Sequence, residues 1–247
     1  MRIMSALAFF ALSSGSVAAS PVIFDFANLQ HHSSGYSGFL PTDGIPCFGD
    51  SLCSSNAPST YGGDLTFING GLVVHALGSY DGGAFGSGAA VVQDSDNTYN
   101  GLLSGINAIG AGLGIYHREI GDNISSRETL WLHFDQEVSL SSIGLRSQAH
   151  NTTGWDSGAT FQYSFDNALW TTGLLPLNVG QVGLVHTGTD FYFRFGGPAI
   201  HSDQFYLSSV TVSAVPEPET YAMLLAGLGL VGFSLRNQKN NKTIFPS

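Results

Sequence analysis

Thr129-Leu130-Trp131-Leu132-His133-Phe134-Asp135 alternates an apolar set, Leu130, Leu132 and Phe134, with a mixed set, Thr129, Trp131, His133 and Asp135. Successive side chains of a strand point to opposite faces, so the stretch predicts a β-strand with one face against a core. Downstream, β-branched and aromatic enrichment returns over residues 138–145, 160–165, 190–195 and 205–212. Asp135-Gln136, Asp166-Asn167 and Gly196-Gly197-Pro198 supply the turns expected between these segments. Upstream, residues 65–68 and 72–77 flank Gly70-Gly71 and read as a hairpin, while 22–26 and 89–92 are shorter strand candidates. Helical periodicity is almost confined to the two ends of the chain. Short strands at short spacing predict an all-β domain, an antiparallel β-sandwich.

The ends have a different character. Met1-Arg2-Ile3-Met4 gives a minimal positive start, residues 5–13 are mostly apolar, and Val17-Ala18-Ala19 places small residues before Ser20. Residues 1–19 therefore read as a secretory signal peptide cut after Ala19. Residues 20–63 form an irregular first part of the exported domain and 64–214 its sandwich. Setting aside Arg2, Arg236, Lys239, Lys242, Glu217 and Glu219, the region between the ends keeps 4 basic residues against 16 acidic ones, a formal −12 with no lysine. Such a charge argues against nucleic acid and anionic membrane surfaces as partners and is compatible with neutral sugars, divalent cations or solubility alone. The only cysteines, Cys47 and Cys53, sit six residues apart in an exported region, where a disulfide closing a short surface loop is expected.

At the other end, Val215-Pro216-Glu217-Pro218-Glu219-Thr220 precedes the uncharged run 221–235, and Arg236, Lys239 and Lys242 follow. Alternate prolines hold the backbone extended and accessible. The apolar run reads as a single transmembrane helix, a borderline one that rises roughly 24 Å against the ~30 Å hydrocarbon core. Its basic tail, 236–247, marks the cytoplasmic side. Val215, Pro216, Glu217 and Pro218, with the Gly/Leu-rich run 225–232 and the basic tail, closely resemble the PEP-CTERM sorting segment of Gram-negative bacteria. The family usually carries adjacent arginines in the tail, where this chain has Arg236-Asn237. The resemblance implies recognition by an exosortase, a membrane-embedded cysteine transpeptidase that cuts near the motif. It also implies transient inner-membrane insertion, a destination at the cell surface or extracellular matrix, and a structural or adhesive role alongside exopolysaccharide. Residues 112–212 resemble, in pattern, the jelly-roll-like ectodomains that often precede this segment.

No Gly-x-Ser-x-Gly elbow, His-Glu-x-x-His or phosphate-cradling glycine motif is present, and the chain is expected not to be an enzyme. Glu119, Glu128, Asp135 and Glu137 are dense enough to raise a glycoside-hydrolase pair as an alternative. A calcium site could draw oxygens from Asp122, Asn123, Glu128 and Asp203, although Asp and Asn that end strands account for the same residues. For an alternative as a calcium-assisted carbohydrate-binding module, Trp131 and Tyr192, out of phase with their strands' apolar faces, and Trp155, in a Gly/Asp-rich loop, are the candidate stacking rings.

Overall fold

A computed structural model describes residues 19–27, 64–94, 110–117, 123–175, 180–196, 203–216 and 223–233. The signal-peptide segment before Ala19, Cys47, Cys53, Asp122, Glu217, Pro218, Arg236, Lys239 and Lys242 lie outside the described residues.

Ten strands follow one another: β1 (Val22–Asp25), β2 (Asp64–Asn69), β3 (Leu72–Tyr80), β4 (Ala90–Asp94), β5 (Gly112–Tyr116), β6 (Glu128–Ser147), β7 (Thr160–Ser164), β8 (Thr171–Leu174), β9 (Gln181–Phe195) and β10 (Phe205–Ala214). Every pairing among them is antiparallel. The β2–β3 hairpin forms where expected, because Gly70 and Gly71, at φ of 57° and 79°, supply the left-handed pair that a two-residue turn matched to strand twist requires.

The quoted stretch opens the longest strand. The expected turn at Asp135-Gln136 does not occur; β6 runs through it, and the break in pairing register falls between His133 and Val138. From His133 to Val138 β6 advances five residues while β9 advances two, so three extra residues are absorbed by a bulge that bends the strand, and solvent takes up Asp135, Gln136 and Glu137, all exposed. Before the bulge β6 lies between β3 and β9, and after it between β10 and β9. The hydrogen-bonded network thus folds into two layers. One is β2-β3-β6-β9-β7-β8; the other is β4-β5-β10-β6-β9, with β1 beside β5 on the free edge of β10. The long strands β6 and β9 pass from one layer to the other.

The core lies between the layers. Leu130, Leu132 and Phe134 are buried, as the alternation requires. Phe134 meets Phe24 of β1 edge to face at 5.8 Å, Phe26 meets Phe67 at 5.0 Å, and Phe161 of β7 meets Phe205 of β10 at 5.9 Å. Each fully buried ring of this kind contributes about 1.5–3 kcal/mol relative to exposure. Gly112 of β5, at φ 118°, packs so closely that a Cβ there would stand 2.4 Å from the Leu207 carbonyl oxygen. Glycine is what lets β5 and β10 approach.

β10 ends in the sorting segment. Ala214 pairs with Val138, the Val215 N–H donates to the Glu137 carbonyl at 3.1 Å, and Pro216, which has no N–H, ends the ladder. Beyond it the described residues 223–233 are helical, inside the expected span 221–235. These eleven residues rise about 16 Å, roughly half of the hydrocarbon core. Among the described residues no helix is long and apolar enough to cross a membrane. The helix is nevertheless apolar on all sides and uncovered, with Met223 at 75%, Leu230 at 71% and Phe233 at 66% exposure.

Candidate functional site

The face of the first layer turned away from the core is read from the strand registers. Ser79, Thr129, Arg194 and Gln162 form one row across β3, β6, β9 and β7. Leu77, Trp131, Tyr192 and Ser164 form the next, and His75, His133 and Asp190 a third. Trp131 and Tyr192 lie nearly parallel, 9° between planes and 5.8 Å between centroids. This is the cross-strand aromatic pairing expected of directly opposed residues on one sheet face.

Loops turn this face into a groove. After β3 the chain reverses through Asp81 and Gly82, both at positive φ. The Ser79 hydroxyl donates to the Gly83 carbonyl at 2.8 Å and the Gly86 N–H to that of Gly78 at 2.9 Å, folding the loop back over the strand. Phe85 is thereby laid on both rings, 5.2 Å from Trp131 and 5.7 Å from Tyr192. The turn before β6 braces the loop. Arg127, at φ 72°, clasps the Asp81 carboxylate through Nε at 3.1 Å and through Nη2, and its carbonyl accepts the Asp81 N–H at 2.7 Å. On the far side, Asp166 Oδ1 accepts the Ala168 and Leu169 N–H groups at 2.9 and 2.8 Å, closing a turn through Asn167 at φ 56°. That turn sets Trp170 against Arg194, whose Cζ lies 3.7 Å from the ring centroid. Between the loops is an open groove of about 730 Å³, lined among others by Ser79, Phe85, Thr129, Gln162, Trp170 and Arg194.

Charge on this face is mostly paired. Burial alone would raise the Asp190 carboxyl, but hydrogen bonds from Thr189, His133 and Trp131 outweigh it and hold it below the usual carboxylate range. Asp64 follows the same logic, with His75 and Thr66 as donors. His75 stands between two carboxylates, Nδ1 at 2.8 Å from Asp64 and Nε2 at 3.1 Å from Asp135. Burial, then the Asp190 and Asp166 charges, raise the Tyr192 phenol, which stays protonated as a donor. Burial lowers Arg194 from its ordinary value, yet a guanidinium remains cationic. Its Nε donates to Gln162 Oε1 at 2.7 Å.

The residues singled out by sequence fare differently. Trp131 and Tyr192 come together as proposed stacking rings, half-buried beside the groove. Trp155 does not: it is 6% exposed and belongs to the core cluster. The bridge between Ile124 and Phe205 brings the turn carrying Asn123 and Glu128 beside the start of β10, near Asp203. Their oxygens already serve the fold. Glu128 Oε2 accepts the Ser125 N–H and hydroxyl, both at 2.7 Å, and Asp203 Oδ1 accepts the Gln204 N–H. Glu128, one of the candidate calcium ligands, is a buried carboxylate that closes this turn, and among the described residues no group of three or more His, Cys, Asp or Glu is placed to hold a metal ion. The register on β9 puts Thr129 opposite Arg194 and Val138 opposite Gly188, six residues or roughly 20 Å, so Glu128 stands farther from Asp135 and Glu137 than the ~10 Å that a pair of hydrolase carboxylates needs. Phe85, Gln162, Trp170 and Arg194 escaped the sequence reading. Arg194 was within reach, two residues beyond Tyr192 and hence on its face.

Comparison with known protein families matches residues 214–239 to the PEP-CTERM protein-sorting motif. The chain carries that motif, beginning at the last residue of β10. No curated protein and no solved structure matches the chain.

Proposed function

We propose that this chain is an exported protein, processed by an exosortase, that serves a structural or adhesive role at the surface or in the exopolysaccharide matrix of a Gram-negative cell. The observation that carries this is the sorting motif at residues 214–239, joined to the central strand β10. In the precursor the apolar segment around residues 223–233 holds the chain in the inner membrane, extended by the uncharged residues on either side, with Arg236, Lys239 and Lys242 on the cytoplasmic side. An all-round apolar helix with nothing covering it is stable in lipid and not in water, which supports that role. The two facing layers, crossed by β6 and β9, are compatible with a jelly-roll-like sandwich. Replacing Pro216, Glu217 and Pro218 together by alanine is expected to leave the precursor in the membrane fraction. Equal release of both forms into the medium refutes exosortase processing.

A second reading, favoured by the aromatic face, makes the domain a carbohydrate-binding module that performs no catalysis. Phe85 lines the groove with ring surface for sugar C–H groups, backed by Trp131 and Tyr192 packed against it, while Gln162, Thr129 and Ser79 offer partners for hydroxyls. Calcium is not needed for such a contact. On a polysaccharide panel, Trp131→Ala is expected to weaken binding by roughly fivefold, the equivalent of about 1 kcal/mol of ring contact. Unchanged affinity removes Trp131 from the site.

A further inference from the structure

We infer that the groove selects an acidic polysaccharide, one bearing sugar carboxylates, and that Arg194 is the residue that reads the carboxylate. This rests on the carbohydrate-binding reading and narrows its ligand class. Between the chain's two ends there are four basic residues in all, and two of them, Arg127 and Arg194, line this one groove. Arg127 is committed to Asp81. Arg194 has no carboxylate partner among the described residues. Its guanidinium is held on two sides, flat against Trp170 and hydrogen-bonded through Nε to Gln162.

Those contacts leave one kind of ligand best served. With Nε taken, the side-on fork is closed, and the end-on pair of N–H groups on Nη1 and Nη2 is left to donate into the groove. A fixed, partly desolvated guanidinium pair matches the two oxygens of a carboxylate and is met less well by scattered hydroxyls. Trp170 on one side and Phe85 across the groove add ring surface for the sugar that carries the carboxylate. The backbone supports a built site. Of the four non-glycine residues at positive φ among the described residues, three line the groove: Asp81, Arg127 and Asn167. Such conformations are strained for L residues and persist where the surrounding structure holds them. Here they set the walls that carry Phe85 and Trp170. The groove walls also carry Asp81, paired with Arg127, and Glu128, whose Oε2 accepts from Ser125, so attraction of an anionic ligand rests on Arg194, and exposed repulsion from the acidic remainder is screened beyond about 8 Å at physiological salt.

The test uses the full-length chain in detergent micelles, titrated with polygalacturonate, the same polymer fully methyl-esterified, a neutral glucan and polyglutamate. Polygalacturonate is expected to bind, and esterification, which removes the charge without touching the protein, to weaken it at least tenfold. Arg194→Gln should produce the same loss. Arg194→Lys, which keeps the charge but not the fork, should recover part of it. Equal affinity for the acidic and esterified polymers overturns the inference and leaves the carbohydrate-binding reading intact. Binding to none of the polysaccharides overturns both. Polyglutamate binding as tightly as polygalacturonate shows a general carboxylate site and overturns the sugar class.

Discussion

Phe134 is the side chain on which the two layers depend most directly. It is 1% exposed, stands at the last apolar position before the β6 bulge, and touches Phe24 of the opposite layer at 5.8 Å and Phe191 of its own at 5.9 Å, both nearly perpendicular. Phe134→Ala removes the ring, leaves a cavity and breaks both edge-to-face pairs, for a cost of about 3–5 kcal/mol. For a domain of this size each kcal/mol moves the melting temperature by about 2–4 °C, so a fall of roughly 6–20 °C is expected. Thermal unfolding of the full-length chain in micelles, followed by near-ultraviolet circular dichroism, measures it. Ile68→Ala serves as the control, since Ile68 of β2 is 47% exposed and its truncation should cost under about 0.5 kcal/mol. If the two variants melt together, the layers are not held through Phe134 and the packing described here is wrong.

Acid behaviour gives a further test. Asp64 and Asp190 are held below the ordinary carboxylate range in the folded state, so their contribution is present above that range and disappears as pH falls through the lowered folded-state values; stability should decline on acidification below the usual Asp value of about 3.9. Asp203 is opposite in sign: burial, with a smaller push from the Asp156 charge, raises it, so its ionised form destabilises the fold at neutral pH. Asp203→Asn should therefore raise the melting temperature at neutral pH and lose that advantage once the pH falls below the ordinary carboxylate range, and a variant that melts lower at neutral pH contradicts the assignment.

The alternation at Thr129 to Asp135 carried most of the fold because β6 is half-buried, the one situation in which period two is written plainly in residue type. β8, Thr171–Leu174, was silent for the converse reason: it is a short edge strand with three of its four residues exposed. The first half of β9 is similar, with Gly183 and Gly188 and exposed positions that follow no core pattern. Asp135-Gln136-Glu137 reads locally as a turn, and only the pairing of β6 with both β3 and β10 shows that the strand bends there and continues. Trp155 misled for a tertiary reason, since its Gly- and Asp-rich neighbours say loop but not which way the loop folds. The stacking pair was legible from strand phase. The groove was not, because Phe85 and Trp170 reach it from turns 85 positions apart in the chain, joined only by the sheet beneath them.

The bulge in β6 also separates the two activities proposed for the chain. At one end of the strand's first half, Thr129 lies in the groove floor; at the other, the Glu137 carbonyl holds the Val215 N–H at the point where the sorting segment leaves the sheet. Across the bulge the pairing register on β9 runs from Arg194 to Gly188, which puts roughly 20 Å between those positions. A groove at that distance from the exit does not have to be rebuilt when the chain is cut beyond Pro216, and the hydrogen bonds and ring contacts that shape it involve no residue after Gly196. Sorting and ligand contact therefore draw on separate parts of one long strand, with the bend between them set by exposed polar residues that the core does not need.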